Sequence, residues 1–242
     1  MTMRDFNREA QPLADKKYNY NFDAIVRDYM MRAFTPFFQA GPALELGCYH
    51  GDSTLELEKA FDDLTVVEAS SDALAVAKSR VNGKVRFIES TIEDLDSGTQ
   101  YETIFLINTL EHIEDAVAAL TRIRGWLSPT GRLFVLVPNA DVPSRQIAVF
   151  MGLVESNNAV TPGERVHGHH RTYSFDTLHA DLHKAGLSVM HAGGILFKGM
   201  ANFQMDKALD AGIIDMAYID GCYRLGQLHP TLCSSIFAVC TR

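Results

Sequence analysis

The chain has no apolar run approaching the ~18 to 20 residues needed to span a bilayer, and Met1 to Tyr20 is polar, without the apolar core of a signal peptide. Both absences predict a soluble, cytoplasmic protein with no membrane partner. There is no CxxC pair. Cys48, Cys222, Cys233 and Cys240 stand singly in apolar surroundings, which reads as reduced buried thiols rather than a zinc site. Basic charge is scarce: 22 Lys and Arg face 30 Asp and Glu, for a formal charge of −8. A duplex nucleic-acid partner requires a basic stripe, and none is visible, so a small or weakly charged substrate fits better. Internal repeats and low-complexity tracts are missing as well. With 47% apolar and 21% charged residues, general disorder is excluded.

What is present begins at Ala43. The stretch Ala43-Leu44-Glu45-Leu46-Gly47-Cys48-Tyr49-His50-Gly51-Asp52-Ser53 reads as a short buried strand, a turn bracketed by two glycines and the start of a helix over about Ser53 to Phe61. Such glycines let backbone N–H groups approach a ligand, and a helix N-terminus favours an anionic group. A second strand, Leu64–Val67, ends at Glu68, 17 residues after Gly51, where a carboxylate can accept both hydroxyls of a ribose diol.

Strand and helix then alternate. A helix across Ala73–Arg80, a strand at Val85–Ile88, a strand at Thr103–Ile107, a helix across Ile113–Trp126 and a strand at Arg132–Val137 predict an α/β fold. Its Rossmann-like, mostly parallel sheet carries helices on both faces in three αβα layers. One domain spans 1–242. An N-terminal arm, 1–39, contains a helix over Phe22–Phe38, and its aromatic residues Tyr18, Tyr20 and Phe22 either fold over a pocket or pack on the sheet. Cap insertions fall at 139–171, with a helix at Ser144–Leu153, and at 192–233, helical in period over Ala201–Ile219. A helix at Phe175–Ala185, a strand at Leu187–His191 and a final strand at Ser234–Val239 complete the order. The apolar face of the late excursion serves either as a homodimer contact or as cover for the sheet.

Five blocks carry a family likeness. They are Leu44-Glu45-Leu46-Gly47-Cys48-Tyr49-His50-Gly51; Val66-Val67-Glu68; Val85 to Leu95; Asn108-Thr109-Leu110-Glu111-His112-Ile113; and Leu127-Ser128-Pro129-Thr130-Gly131-Arg132-Leu133. In this order they resemble the class I S-adenosylmethionine-dependent methyltransferases, in the small-molecule branch that includes ubiquinone-pathway, sugar and antibiotic enzymes. The likeness runs from about Leu44 to Asn139, and again over Tyr173 to His191. It implies a seven-stranded sheet whose terminal strand runs antiparallel between strands five and six. It also implies S-adenosyl-L-methionine as cofactor, held by Glu45, Gly47, Tyr49, Gly51, Glu68, Ala69, Thr91, Ile92 and Asn108. Two positions depart from the pattern: Tyr49 stands where the family usually has its middle glycine, and Thr91 where many relatives have an aspartate reaching adenine.

For the acceptor end, His112 reads either as a proton acceptor or as packing at a helix start. His167, His169 and His170, flanked by Arg165 and Arg171, can supply a base and an anion clamp. Imidazoles suit metals too, but no carboxylate stands at motif spacing, so no metal is expected. Tyr18, Arg165, Arg171, Tyr173, Lys198, Asn202 and Gln204 are candidate substrate contacts, each with an ordinary packing or solvated reading beside it, and Ser174 reads as a helix N-cap. The expected reaction is methyl transfer to an oxygen of a small polar metabolite, assisted by a histidine base. The alternatives are nitrogen methylation, a non-catalytic cofactor-binding partner, and a nicotinamide oxidoreductase, whose tighter GxGxxG spacing is missing here.

Overall fold

Burial along the strands dictates the sheet. The computed structural model describes residues 4–10 and 20–242. β1 (Ala43–Leu46) is buried at every residue, which requires a central position with both faces covered. It pairs in parallel with β2 (Leu64–Glu68) on one side and β4 (Tyr101–Ile107) on the other. β3 (Arg86–Glu89) adds to β2, and β5 (Leu127–Pro138) adds to β4. The last strand, β7 (Cys233–Thr241), inserts antiparallel between β5 and β6 (Ser188–Phe197). The order is therefore β3-β2-β1-β4-β5-β7-β6, the arrangement the family likeness implies.

Helices cover both faces, giving the expected α/β/α layers. In chain order they are α1 (Phe6–Ala10), α2 (Asn21–Phe34), α3 (Thr54–Leu57), α4 (Ser71–Arg80), α5 (Ala116–Trp126), α6 (Pro143–Phe150), α7 (Pro162–Val166), α8 (Phe175–Lys184), α9 (Asn202–Asp210) and α10 (Met216–Leu228). On one face Leu120 and Ile123 of α5 and Leu178 and Leu182 of α8 pack on Leu44, Ile104 and Val135. On the other, α2 buries Phe22, Tyr29, Met30 and Phe34, and the Phe34 ring lies 5.1 Å from Phe134 and 5.2 Å from Phe237. Burying each such ring contributes about 1.5–3 kcal/mol, which ties the arm to the sheet.

The boundaries shift for local reasons. α2 stops at Phe34 and passes into a 3-10 turn, Thr35–Phe37, that contains Pro36. α5 begins three residues later than the periodicity of Ile113–Trp126 suggests, because the Asp115 side chain accepts the Ala118 N–H at 3.0 Å and caps it. Ser174 caps α8 as expected. The helical period over Ala201–Ile219 divides into α9 and α10, with the Asp215 carboxylate capping the second. β6 runs on past His191 to Phe197. A Cβ at Gly193 would lie 2.8 Å from the Phe237 ring, so a residue without one is needed for that close packing, and it hides the strand alternation. The four cysteines are unpaired and buried. No helix of the described residues is long and apolar enough to cross a membrane.

Candidate functional site

The strand order reverses between β1 and β4, so the crevice beyond their carboxyl ends is where an open α/β sheet binds ligands. The turn after β1 is shaped by three left-handed residues, Gly47 (φ 78), Tyr49 (φ 49) and Gly51 (φ 81). At Gly47 a Cβ would meet Thr109 Oγ1 at 2.5 Å, and that hydroxyl donates to the Leu46 carbonyl at 3.0 Å. Tyr49 takes the middle-glycine position by adopting the left-handed conformation itself. Its ring stacks on His50 at 3.7 Å, and its hydroxyl donates to the Ala10 carbonyl at 3.0 Å.

Glu68 closes this end of the site. Its Oε2 accepts the Tyr49 N–H at 2.8 Å and its Oε1 the Ser70 N–H at 2.9 Å. Burial pushes its pKa up, against the pull of these N–H groups. The Ala69 and Cys48 backbone also bonds this carboxylate, so the backbone presets its position at the strand end. Beneath the turn, Glu45 is buried, its Oε2 accepts the Thr54 hydroxyl at 2.6 Å, and its Oε1 has no partner among the described residues. Burial drives its pKa up to about 8. An orphaned buried acceptor under a backbone cradle fits the polar amino-acid end of an adenosyl cofactor.

The remaining cofactor candidates line the same edge. Ala69 is half-buried after β2, Ile92 is buried against the core that includes Val67, and Asn108 is exposed at the end of β4 with φ 49. Thr91 caps its own turn, its Oγ1 accepting the Asp94 N–H at 3.1 Å and bonding the Asp94 carboxylate at 3.0 Å.

At the other end, a second group assembles after β4. Glu111 and His112 lie on a 3-10 turn, Leu110–His112, and His169 arrives from the insertion. The carboxylate and imidazole ligand atoms of these three all lie within 4.8 Å of one another. The backbone brings them together: the His170 N–H donates to the Glu111 carbonyl at 2.9 Å, and the His112 and His169 rings meet edge to face at 4.5 Å. The His112 ring is hydrogen-bonded to the His167 backbone. Glu111 is buried with Oε2 unpartnered among the described residues, and burial raises its pKa to about 8. Burial lowers His112 to about 3 and His169 to about 4, so both imidazoles are neutral at physiological pH. A small cavity of about 20 Å³ adjoins the group, lined in part by Asn139, Arg145, Arg171 and Thr172. A larger cavity, about 450 Å³, opens beside Pro42 and Asp63 at the amino ends of β1 and β2, away from this crevice.

α1 straps across the mouth. Asn7 Oδ1 accepts the Ser70 hydroxyl at 2.8 Å, next to Glu68, while Arg4 donates to the His112 carbonyl at 2.8 Å and pairs with Glu9 at 2.7 Å. Glu9 also lies against Gly168, where a Cβ would collide with its carboxylate.

Several candidates lie elsewhere. Arg165 is exposed on α7, and the His170 side chain is exposed, its backbone alone joining the cluster. Arg171 bonds the Ile113 carbonyl at 3.2 Å and pairs with Asp181 at 3.8 Å, so its charge is partly spent in the scaffold. Tyr173 is fully buried in the core, its hydroxyl 3.2 Å from Asp181, and burial raises its pKa, a packing role rather than a pocket wall. Lys198 is buried and bonds Asn202, which donates to Asp23 at 2.7 Å; this network joins β6 and α9 to α2. Gln204 is exposed and accepts the Ala201 N–H at 2.9 Å, capping α9. Tyr18 lies outside the described residues. Sequence reasoning did not single out Glu111, Arg145 or Glu164. Arg145 pairs with Glu164 at 2.7 Å and supports the insertion beside His169, and neither residue carries a motif that would have exposed it.

A doubly wound sheet with a glycine turn, a strand-end carboxylate and a polar cluster after β4 defines a nucleotide-cofactor protein of the methyltransferase type. The chain belongs to the methyltransferase domain family, whose model matches residues 18–192. Among curated relatives it is similar to the ubiquinone biosynthesis O-methyltransferase of Rickettsia conorii, 27% identical over 99 residues that cover 40% of this chain and 34% of that protein. The chain spans between a third and about half the length of the first such relatives. Among solved structures it shares its fold with the N-methyltransferase NodS of Bradyrhizobium japonicum in complex with S-adenosyl-L-homocysteine. That match has a TM-score of 0.61 at 14% identity, over 97% of this chain and 95% of the other. The CcbJ methyltransferase of Streptomyces caelestis superposes with a TM-score of 0.64 at 15% identity, over 98% and 99%.

Proposed function

We propose that the protein is an S-adenosylmethionine-dependent methyltransferase that acts on an oxygen of a small polar metabolite. The observation that carries this reading is Glu68, held by the Tyr49 and Ser70 N–H groups at the carboxyl end of β2 beside the glycine turn. When bound, the cofactor supplies an electrophilic sulfonium methyl group. Glu68 would receive the ribose hydroxyls, Ile92 and the Thr91 turn would border the adenine, and Glu45 with the Gly47–Gly51 backbone would take the amino-acid end.

The acceptor belongs beside Asn108, His112 and His169. A hydroxyl must lose its proton as it attacks, and neutral imidazoles offer lone pairs for it. The cluster also orients the acceptor and excludes water, and placement of this kind supplies much of a transfer rate. The net charge of −8 disfavours a nucleic-acid acceptor. A nitrogen acceptor is the second reading, favoured by the shared fold with NodS, an N-methyltransferase.

The test is incubation of purified protein with methyl-labelled S-adenosylmethionine and a panel of hydroxylated and aminated small molecules, with products located by mass spectrometry. Label on oxygen is the expected result. Label on nitrogen alone moves the protein to the second reading, and absence of both turnover and S-adenosylhomocysteine binding overturns the proposal.

A further inference from the structure

We infer that Glu111, His112 and His169 form a binding site for one divalent transition-metal ion at the acceptor end of the crevice. Two imidazoles and one carboxylate, their ligand atoms within 4.8 Å of one another, make an N2O set that suits zinc, iron, manganese or nickel better than magnesium or calcium, which prefer all-oxygen shells. Around a zinc-sized ion with bonds of about 2.0–2.1 Å, ligand atoms sit roughly 3–3.5 Å apart, so metal binding would draw these side chains together from their present separations.

Glu111 supplies the independent observation. It is 2% exposed, and its Oε2 has no partner among the described residues. A buried carboxylate oxygen without a donor is costly unless something cationic or a donor completes it. Of the guanidinium groups nearby, Arg145 is engaged with Glu164 and Arg4 with Glu9, while Arg171 pairs with Asp181 and bonds the Ile113 and Glu114 carbonyls, its Nε being unpartnered among the described residues.

The surroundings match what a metal site needs beyond its ligands. A hydrogen bond between the His112 ring and the His167 backbone orients the imidazole. The His170 N–H bonded to the Glu111 carbonyl pins the insertion against the 3-10 turn, so that His169 is delivered from a different segment to the same point. Three protein ligands with the remaining side open to a cavity is the pattern of a reactive rather than a purely structural site. An ion here would bind the acceptor oxygen and favour its deprotonated form. In the loaded protein the two imidazoles then serve as ligands and not as bases. That role rests on the methyltransferase reading, whereas the site itself does not.

The test is titration of the metal-stripped full chain with Co2+, followed by its visible absorption, and competition with Zn2+ followed by elemental analysis. One equivalent per chain is expected, with affinity lowered by at least about 100-fold in E111Q and in H169N. S-adenosylhomocysteine binding and thermal unfolding, measured on the same samples, should stay near wild type; they show that the variants are folded and test the cofactor reading separately. Failure of the wild-type chain to bind, or binding undiminished in two folded variants, overturns the inference even if S-adenosylhomocysteine binds normally.

Discussion

Glu68 and Tyr49 are joined by a 2.8 Å hydrogen bond from the Tyr49 N–H to the Glu68 carboxylate, across the turn where Tyr49 holds φ 49. The residue that departs most from the family's glycine pattern is thus the one whose backbone orients the strand-end acid. The side chain at 49 is accommodated outward, on His50 and the Ala10 carbonyl, and not into the backbone cradle.

Gly47→Ala should damage both stability and cofactor binding. The new methyl would meet Thr109 Oγ1 at 2.5 Å in a left-handed backbone position. Left-handed strain of roughly 1–2 kcal/mol adds to the overpacking, typically about 1–3 kcal/mol. Urea unfolding should show a midpoint drop of that order, partly restored by adding Thr109→Ala.

Tyr49→Phe removes the hydroxyl that holds the end of α1. Global stability should change by no more than about 1 kcal/mol, the net worth of one hydrogen bond. Hydrogen exchange over residues 4–10 should rise selectively, because the strap loses one of its anchors while the Asn7 and Arg4 contacts remain.

Glu45 makes stability fall with rising pH. Its folded pKa of about 8 lies above its ordinary value of 4.5. Between these values the folded protein keeps a proton that the unfolded chain has released. Its contribution is therefore complete below about pH 4.5 and is lost as pH rises through about 8. Glu45→Gln should flatten that slope, a difference on the order of a few kcal/mol across the window, read from denaturant midpoints at several pH values.

His169→Ala should lower kcat by about 100-fold or more while leaving S-adenosylhomocysteine affinity near wild type, because His169 stands at the acceptor end and Glu68 at the other. Arg165→Ala, on an exposed helix position, should leave both unchanged.

The strands were legible because buried parallel strands are continuous apolar runs, as at Leu64–Val67 and Leu133–Val137, and the glycine turn with Glu68 was legible because local chemistry demands it. β6 was read short because Gly193 and Gly194 carry no side chains to show alternation. The acceptor end was only half visible. Glu111 and His112 are neighbours in the chain, but His169 joins them through the path of the insertion and one backbone hydrogen bond, which no sequence period records. Tyr173 looked like a pocket residue by type. The bridge from its segment to Asn139 and its contact with Asp181 instead place it in the core.

The most direct measurement is calorimetric titration of the purified chain with S-adenosylhomocysteine, wild type beside Glu68→Ala. Saturable 1:1 binding is expected, weakened by about 10- to 100-fold in the variant, as the loss of charge-assisted hydrogen bonds worth about 1.5–3 kcal/mol requires. No binding by the wild type, or equal binding by both proteins, would contradict the assignment of this crevice as the cofactor site.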